Sequence, residues 1–176
     1  MKDELLTVQD ALKFAIQMEV DGKQFYTRTG QESNNKLGKE LFAWLATQED
    51  RHRERFQEIF DSIATQKNWP KISVKPDKGI EPSTIFSQAA KASASHTGAN
   101  KDEFDAVEKA MDMEIKSRDF YKQQSAKATW DTQRKFFDSV AVEEQGHYLY
   151  LVDYKEYIAD PTGWFTRTEH HLLDGA

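Results

Sequence analysis

Two lone glutamates and two Glu-x-x-His motifs are the residues of this chain whose types and spacing can do chemistry. Glu49 and His52 follow thirty residues after Glu19, and Glu144 and His147 follow thirty after Glu114. One Glu from each of two helices and Glu-x-x-His from each of two others is the ligand list of a carboxylate-bridged two-metal site. Burying such a set without compensation costs several kcal/mol per ion, in round terms. Two divalent cations neutralise four carboxylates and so supply the compensation. Glu49 and Glu144 are assigned as the bridging pair. Glu19 with His52 then completes one metal, and Glu114 with His147 the other. Mixed carboxylate and imidazole ligation suits two iron ions and also admits manganese or zinc. Two irons sharing carboxylates can deliver two electrons together to dioxygen or hydrogen peroxide.

The motifs belong to an internal repeat. A shift of 95 residues carries Ala15, Met18, Glu19, Phe25, Tyr26, Phe42, Ala46, Glu49 and His52 onto Ala110, Met113, Glu114, Phe120, Tyr121, Phe137, Ala141, Glu144 and His147, with no gap. Glu49 and His52 sit inside the stripe Phe42, Leu45, Phe56, Ile59 and Ile63, whose 3-4 spacing marks one buried helical face. A solvated pair does not belong on such a face. Tyr26 and Tyr121 lie two turns beyond Glu19 and Glu114, where each could hydrogen-bond a ligand carboxylate or pass an electron. An ordinary core tyrosine is the competing reading. Gly22 and Ser117 are paired small residues that leave room for a peroxide or allow close helix packing. Trp44, Trp69, Trp130 and Trp164 read as packing residues outside the repeat, and His96, His170 and His171 as surface histidines.

These residues need four long helices to position them. The pattern predicts a first helix starting near Thr7 and stopping near Gly30. A second spans about 35–67 and is ended by Trp69-Pro70. Asn100 with Glu103 resembles a capping box for the third helix. The fourth begins near Thr129 or Asp131 and is broken at Asp160-Pro161. Residues 68–100 are rich in Pro, Gly, Ser, Lys and Ala and hold at most a short helix after Pro82-Ser83. A connection of that length carries the chain from one end of a bundle to the other, so the second hairpin starts from the same end as the first. The expected architecture is one all-α domain over 1–176. It consists of hairpins at about 7–67 and 101–159, a crossover at about 68–100, and a short helical tail at 160–176.

Bulk composition narrows the function. The net charge of −6 argues against a general nucleic-acid or anionic-membrane binder. No run reaches the length of a membrane span and the first residues lack a signal-peptide core, so the expected location is the cytoplasm. The absence of cysteine excludes thiolate catalysis and Cys-ligated metal.

With its ligands placed, the chain resembles the rubrerythrin branch of the ferritin-like superfamily. The resemblance rests on MEVDGKQFY at 18–26, EDRH at 49–52, MEIKSRDFY at 113–121 and EEQGH at 143–147. It implies a ferritin-like four-helix bundle with a diiron site that reduces peroxide or oxygen in oxidative-stress defence, commonly as a homodimer. Two departures bear on that expectation. Without cysteine, electrons must come from a separate donor such as a rubredoxin or a reductase. Rubrerythrins also tend to carry an extra Glu one turn after the third helix's ligand, where this chain has Ser117. The set therefore looks like the more symmetric one of bacterioferritin. Ferroxidase activity with iron storage, and a small-substrate diiron oxygenase, are the alternative readings.

Overall fold

A computed structural model of the chain describes residues 2–66, 69–70 and 101–164. It contains four long helices: α1 (Lys2–Glu32), α2 (Lys36–Gln66), α3 (Lys101–Ala126) and α4 (Asp131–Ala159). A short helical turn follows at 161–164. The all-α architecture is the one the periodicity implies. The crossover at 71–100, with His96, and the tail from 165 on, with His170 and His171, lie outside the described residues.

Local chemistry explains the helix ends. Asn35 caps α2, its Oδ1 accepting the backbone N–H groups of Leu37 at 2.9 Å and Gly38 at 3.4 Å. Trp130 precedes α4 with no side-chain cap, and the Gln133 side chain reaches back to the Thr129 N–H. Asp160 ends α4 and starts the last turn, its carboxylate accepting the Gly163 N–H at 2.9 Å, with Pro161 at the first helical position. Two sequence expectations need correction. Helix α1 begins at Lys2, well before Thr7, and it runs through Gly30 to Glu32. A Cβ on Gly30 would stand 3.3 Å from Phe42 Cβ, so this glycine serves close helix packing within the hairpin and not termination.

Backbones approach closely within the hairpins α1–α2 and α3–α4, and only sparsely between α1 and α3 or α2 and α4. Side chains fill the space between hairpins, in two clusters. One gathers Tyr26, Leu41, Phe42, Leu45, Val107, Leu151, Tyr154 and Trp164. The other gathers Leu12, Phe56, Ile59, Ile63, Trp69, Tyr121, Phe137 and Val140. The 95-residue shift exchanges the clusters: Leu12 maps to Val107, Tyr26 to Tyr121 and Phe42 to Phe137. Trp69 maps to Trp164 as well. These two tryptophans therefore belong to the repeat, contrary to their sequence assignment, and they serve opposite clusters. α2 thus ends beside one cluster and α3 begins beside the other, at opposite ends of the bundle.

At the end where α2 begins, Glu103 is buried and its Oε1 accepts the hydroxyls of Ser33 at 2.5 Å and Tyr154 at 2.6 Å. The capping partner proposed for it, Asn100, lies outside the described residues. Gly38 lets this network close, since a Cβ there would come 2.2 Å from the Tyr154 hydroxyl and 2.7 Å from Ser33 Oγ. Gly38→Ala is therefore expected to destabilise the fold by about 1–3 kcal/mol through overpacking. Gly146 is helical and has nothing within 4 Å of a Cβ position. Gly146→Ala should stabilise by roughly 0.5–1 kcal/mol from helix propensity alone. Urea denaturation of both variants checks the opposite signs.

Candidate metal centre

Between the two apolar clusters lies a polar layer. All six sequence-assigned ligands meet there: Glu19 from α1, Glu49 and His52 from α2, Glu114 from α3, and Glu144 and His147 from α4. Each is at most 5% exposed. They form two groups able to hold a metal ion, Glu19–Glu49–His52 and Glu49–Glu114–Glu144–His147, with Glu49 common to both. The imidazoles stack with centroids 5.5 Å apart. Each turns Nδ1 toward the carboxylates. His52 Nδ1 is 3.6 Å from Glu19 Oε2 and 3.1 Å from Glu144 Oε1. His147 Nδ1 is 3.5 Å from Glu49 Oε1, 3.5 Å from Glu114 Oε2 and 3.2 Å from Glu144 Oε2. Glu144 thus offers one oxygen to each imidazole, as a bridging carboxylate would.

The tyrosines are tied to this layer crosswise. Tyr26, in the first hairpin, donates to Glu114 Oε1 in the second. Tyr121, in the second, donates to Glu19 Oε1 in the first. Each bond occupies the outer oxygen of a glutamate and leaves Oε2 facing the imidazole. Burial, and next the charge of the accepting glutamate, raise both phenols well above their ordinary value, so both stay protonated donors.

Gly22 has a more specific place than sequence reasoning gave it. A Cβ on Gly22 would stand 2.8 Å from Glu49 Oε2. The space beside Gly22 is filled by the shared carboxylate itself, so it is not a peroxide pocket. Glu143 is the functional residue that sequence reasoning missed. Its Oε2 lies 2.9 Å from His52 Nε2, and it also pairs with Arg55 at 2.9 Å. Its adjacency to Glu144 in EEQGH was the available signal. Trp44, read from the sequence as a packing residue, packs edge-on against the His147 ring at 5.4 Å.

The residues fit a pair of cations. Glu19 Oε2, Glu49 Oε1, Glu144 Oε1 and His52 Nδ1 are buried without a hydrogen-bond partner. Buried polar atoms are ordinarily paired, and this concentration of inward-facing donors to metal in one layer is what bound cations satisfy. The side chains alone answer the crowding with protons. Burial, and then the charges of Glu19, Glu144 and Glu114, raise Glu49 well above the usual carboxylate range. Burial and the Glu144 charge push Glu114 up to about 8. Burial opposes charge on His147, yet the Glu114 charge and hydrogen bonds to Glu114 and Glu144 raise it to about 9. His52 is raised likewise, the Glu144 charge and the Glu143 contact outweighing burial. Glu144 is depressed: burial raises it, but the two imidazoles more than offset this.

The fold and this layer together define a carboxylate-rich helical bundle with two clusters fit for a binuclear metal site. The chain belongs to the rubrerythrin family, whose model matches residues 10–154. Among solved structures it is similar to a hypothetical protein from Pyrococcus furiosus, at 21% identity and a TM-score of 0.65, over 87% of this chain and 90% of that one. At that identity the likeness speaks for the fold. No curated protein matches the chain in sequence. None of the described helices is long and apolar enough to cross a membrane.

Two outcomes follow from the layer. Gly22→Ala should push the Glu49 carboxylate aside and weaken metal binding by tenfold or more, at about 1.4 kcal/mol per decade. The displaced atom ends a flexible side chain, so helicity should be retained. Calorimetric metal titration and circular dichroism read the two separately. The protein without metal should also lose stability as pH rises from 6.5 to about 9. In that window the folded chain keeps the His147 proton that the unfolded chain, at an ordinary 6.5, releases. Each pH unit then costs about 1.4 kcal/mol per such group. Glu114 acts in the same direction, but its charge is also what raises His147, so the two titrate as one pair. Depressed Glu144 acts oppositely, losing its contribution only as pH falls below 4.5 and through its lowered value. Melting temperatures should fall across pH 6.5–9 without divalent metal and stay level with it.

Proposed function

We propose that the protein is a diiron oxidoreductase that reduces hydrogen peroxide or dioxygen with electrons from a separate donor protein. One observation carries the reading: two buried Glu/His clusters share Glu49 and hold carboxylate oxygens and an imidazole nitrogen with no hydrogen-bond partner. When bound there, two iron ions supply paired one-electron steps, matching the two electrons that turn hydrogen peroxide and two protons into two waters. Glu19 and His52 would hold one ion and Glu114 and His147 the other, with Glu49 and Glu144 between them. Tyr26 and Tyr121 fix the outer oxygens of Glu114 and Glu19, so the carboxylates stay oriented through a change of charge. The aromatic clusters on either side limit water at the layer. The chain has no cysteine for a thiolate-bound electron carrier of its own, hence the separate donor, a rubredoxin or a reductase. A homodimer in the cytoplasm, acting in oxidative-stress defence, completes the proposal.

Ferroxidase activity is the second reading, favoured by Ser117. The two clusters contain no carboxylate one turn beyond Glu114 to bind the more oxidised metal. Anaerobic iron loading should give two irons per chain, and Glu49→Ala or Glu144→Ala should lose the pair. A folded protein that takes up no iron would end the proposal. Stopped-flow oxidation of the reduced, loaded protein by equal peroxide and oxygen then separates the readings. Faster oxidation by peroxide supports the peroxidase. Faster oxidation by oxygen, shifted toward peroxide by Ser117→Glu, counts against the peroxidase and favours an oxidase or ferroxidase.

A further inference from the structure

The six candidate ligands and both tyrosines are identical in the two halves, but the residues behind the imidazoles are not. Behind His52 stands Glu143 of the other hairpin, with Oε2 2.9 Å from Nε2. Arg55 Nη1 holds both Glu143 oxygens, at 2.9 and 3.2 Å, and Ser139 Oγ approaches at 3.4 Å. The 95-residue shift replaces all three. Glu143 corresponds to Gln48, Arg55 to Tyr150 and Ser139 to Trp44. In the second half Trp44 accordingly meets His147 edge-on at 5.4 Å and Tyr150 at 5.5 Å. One imidazole is backed by an anchored carboxylate, the other by an indole.

We infer that the two metal positions are inequivalent, and that Glu143 is a positioning residue that makes the Glu19–His52 position take the first divalent cation. The inference rests on the metal-centre reading above. With Nδ1 of His52 turned to the carboxylates, Nε2–H donates to Glu143. An anionic acceptor at that nitrogen locks the ring and raises the basicity of the ligating one. Such support is worth roughly 10–100-fold in metal affinity. Arg55 offsets part of the negative charge but fixes the carboxylate in place. On the His147 side the shift places neutral Gln48 where Glu143 stands, and the Trp44 indole edge is no anionic acceptor. The duplication therefore preserves the ligands while giving the two positions different strengths.

Titration of the full-length protein with cobalt(II) tests this, followed by calorimetry and by the paramagnetically shifted exchangeable imidazole protons. Those protons are assigned with His52→Gln and His147→Gln. Two binding steps at least about tenfold apart are expected, with the His52 ring proton appearing in the first. Glu143→Gln should weaken that step by about 10–100-fold and leave the His147 step within about twofold. Equal steps, or the His147 proton appearing first, would overturn the inference whatever the variant does. A Glu143→Gln protein weakened equally at both steps would overturn it too, since that is the mark of a merely structural role. Failure of the unmodified protein to bind cobalt at all would remove the metal-centre reading itself.

Discussion

Four carboxylates and two imidazoles cross the middle of an otherwise apolar bundle, and the electrostatics of that layer govern what surrounds it. Ionised carboxylates this close repel, and burial removes the water that would screen them. Every neighbouring feature bears on that problem. Tyr26 and Tyr121 donate to the outer oxygens of Glu114 and Glu19. Gly22 yields its side-chain space to the Glu49 carboxylate. The large apolar residues separate into a cluster on each side. A bundle with one continuous core would have had no such layer.

The same layer ties the hairpins together. Because close backbone approach is largely confined to each hairpin, cohesion between them depends on side chains. The tyrosine–glutamate bonds run from each hairpin to the other in both directions. Glu143 on α4 pairs with His52 and Arg55 on α2. Cations held by ligands from all four helices would add a further cross-link. Metal binding and hairpin docking are thus coupled through the same groups.

Much of this was legible in the sequence because a duplication repeats its constraints. The ungapped 95-residue shift picked out the six layer residues, and the 3-4 stripe containing Glu49 and His52 placed them on a buried face. Helix α2 was bounded to within a residue by Asn35 and Trp69-Pro70. What escaped was what depends on approach across space. Gly30 carries the type of a terminator and acts as a packing glycine against Phe42. Glu143 differs from its counterpart Gln48, so a search for repeated residues passes over it. Helix α1 extends to Lys2 beyond the Thr7 cap signal, where local propensity gives no contrary stop.

Protonation is the side chains' own answer to the crowding of this layer. Glu114, raised to about 8, and His147, raised to about 9, hold protons at neutral pH and so offset part of the layer's charge. Loading must then expel them, since ligating imidazole and carboxylate are deprotonated. Affinity therefore gains with pH as the His147 proton, held to about 9, is released. Depressed Glu144 is already ionised at neutral pH and faces both imidazoles, so it is the carboxylate ready to meet the incoming cation.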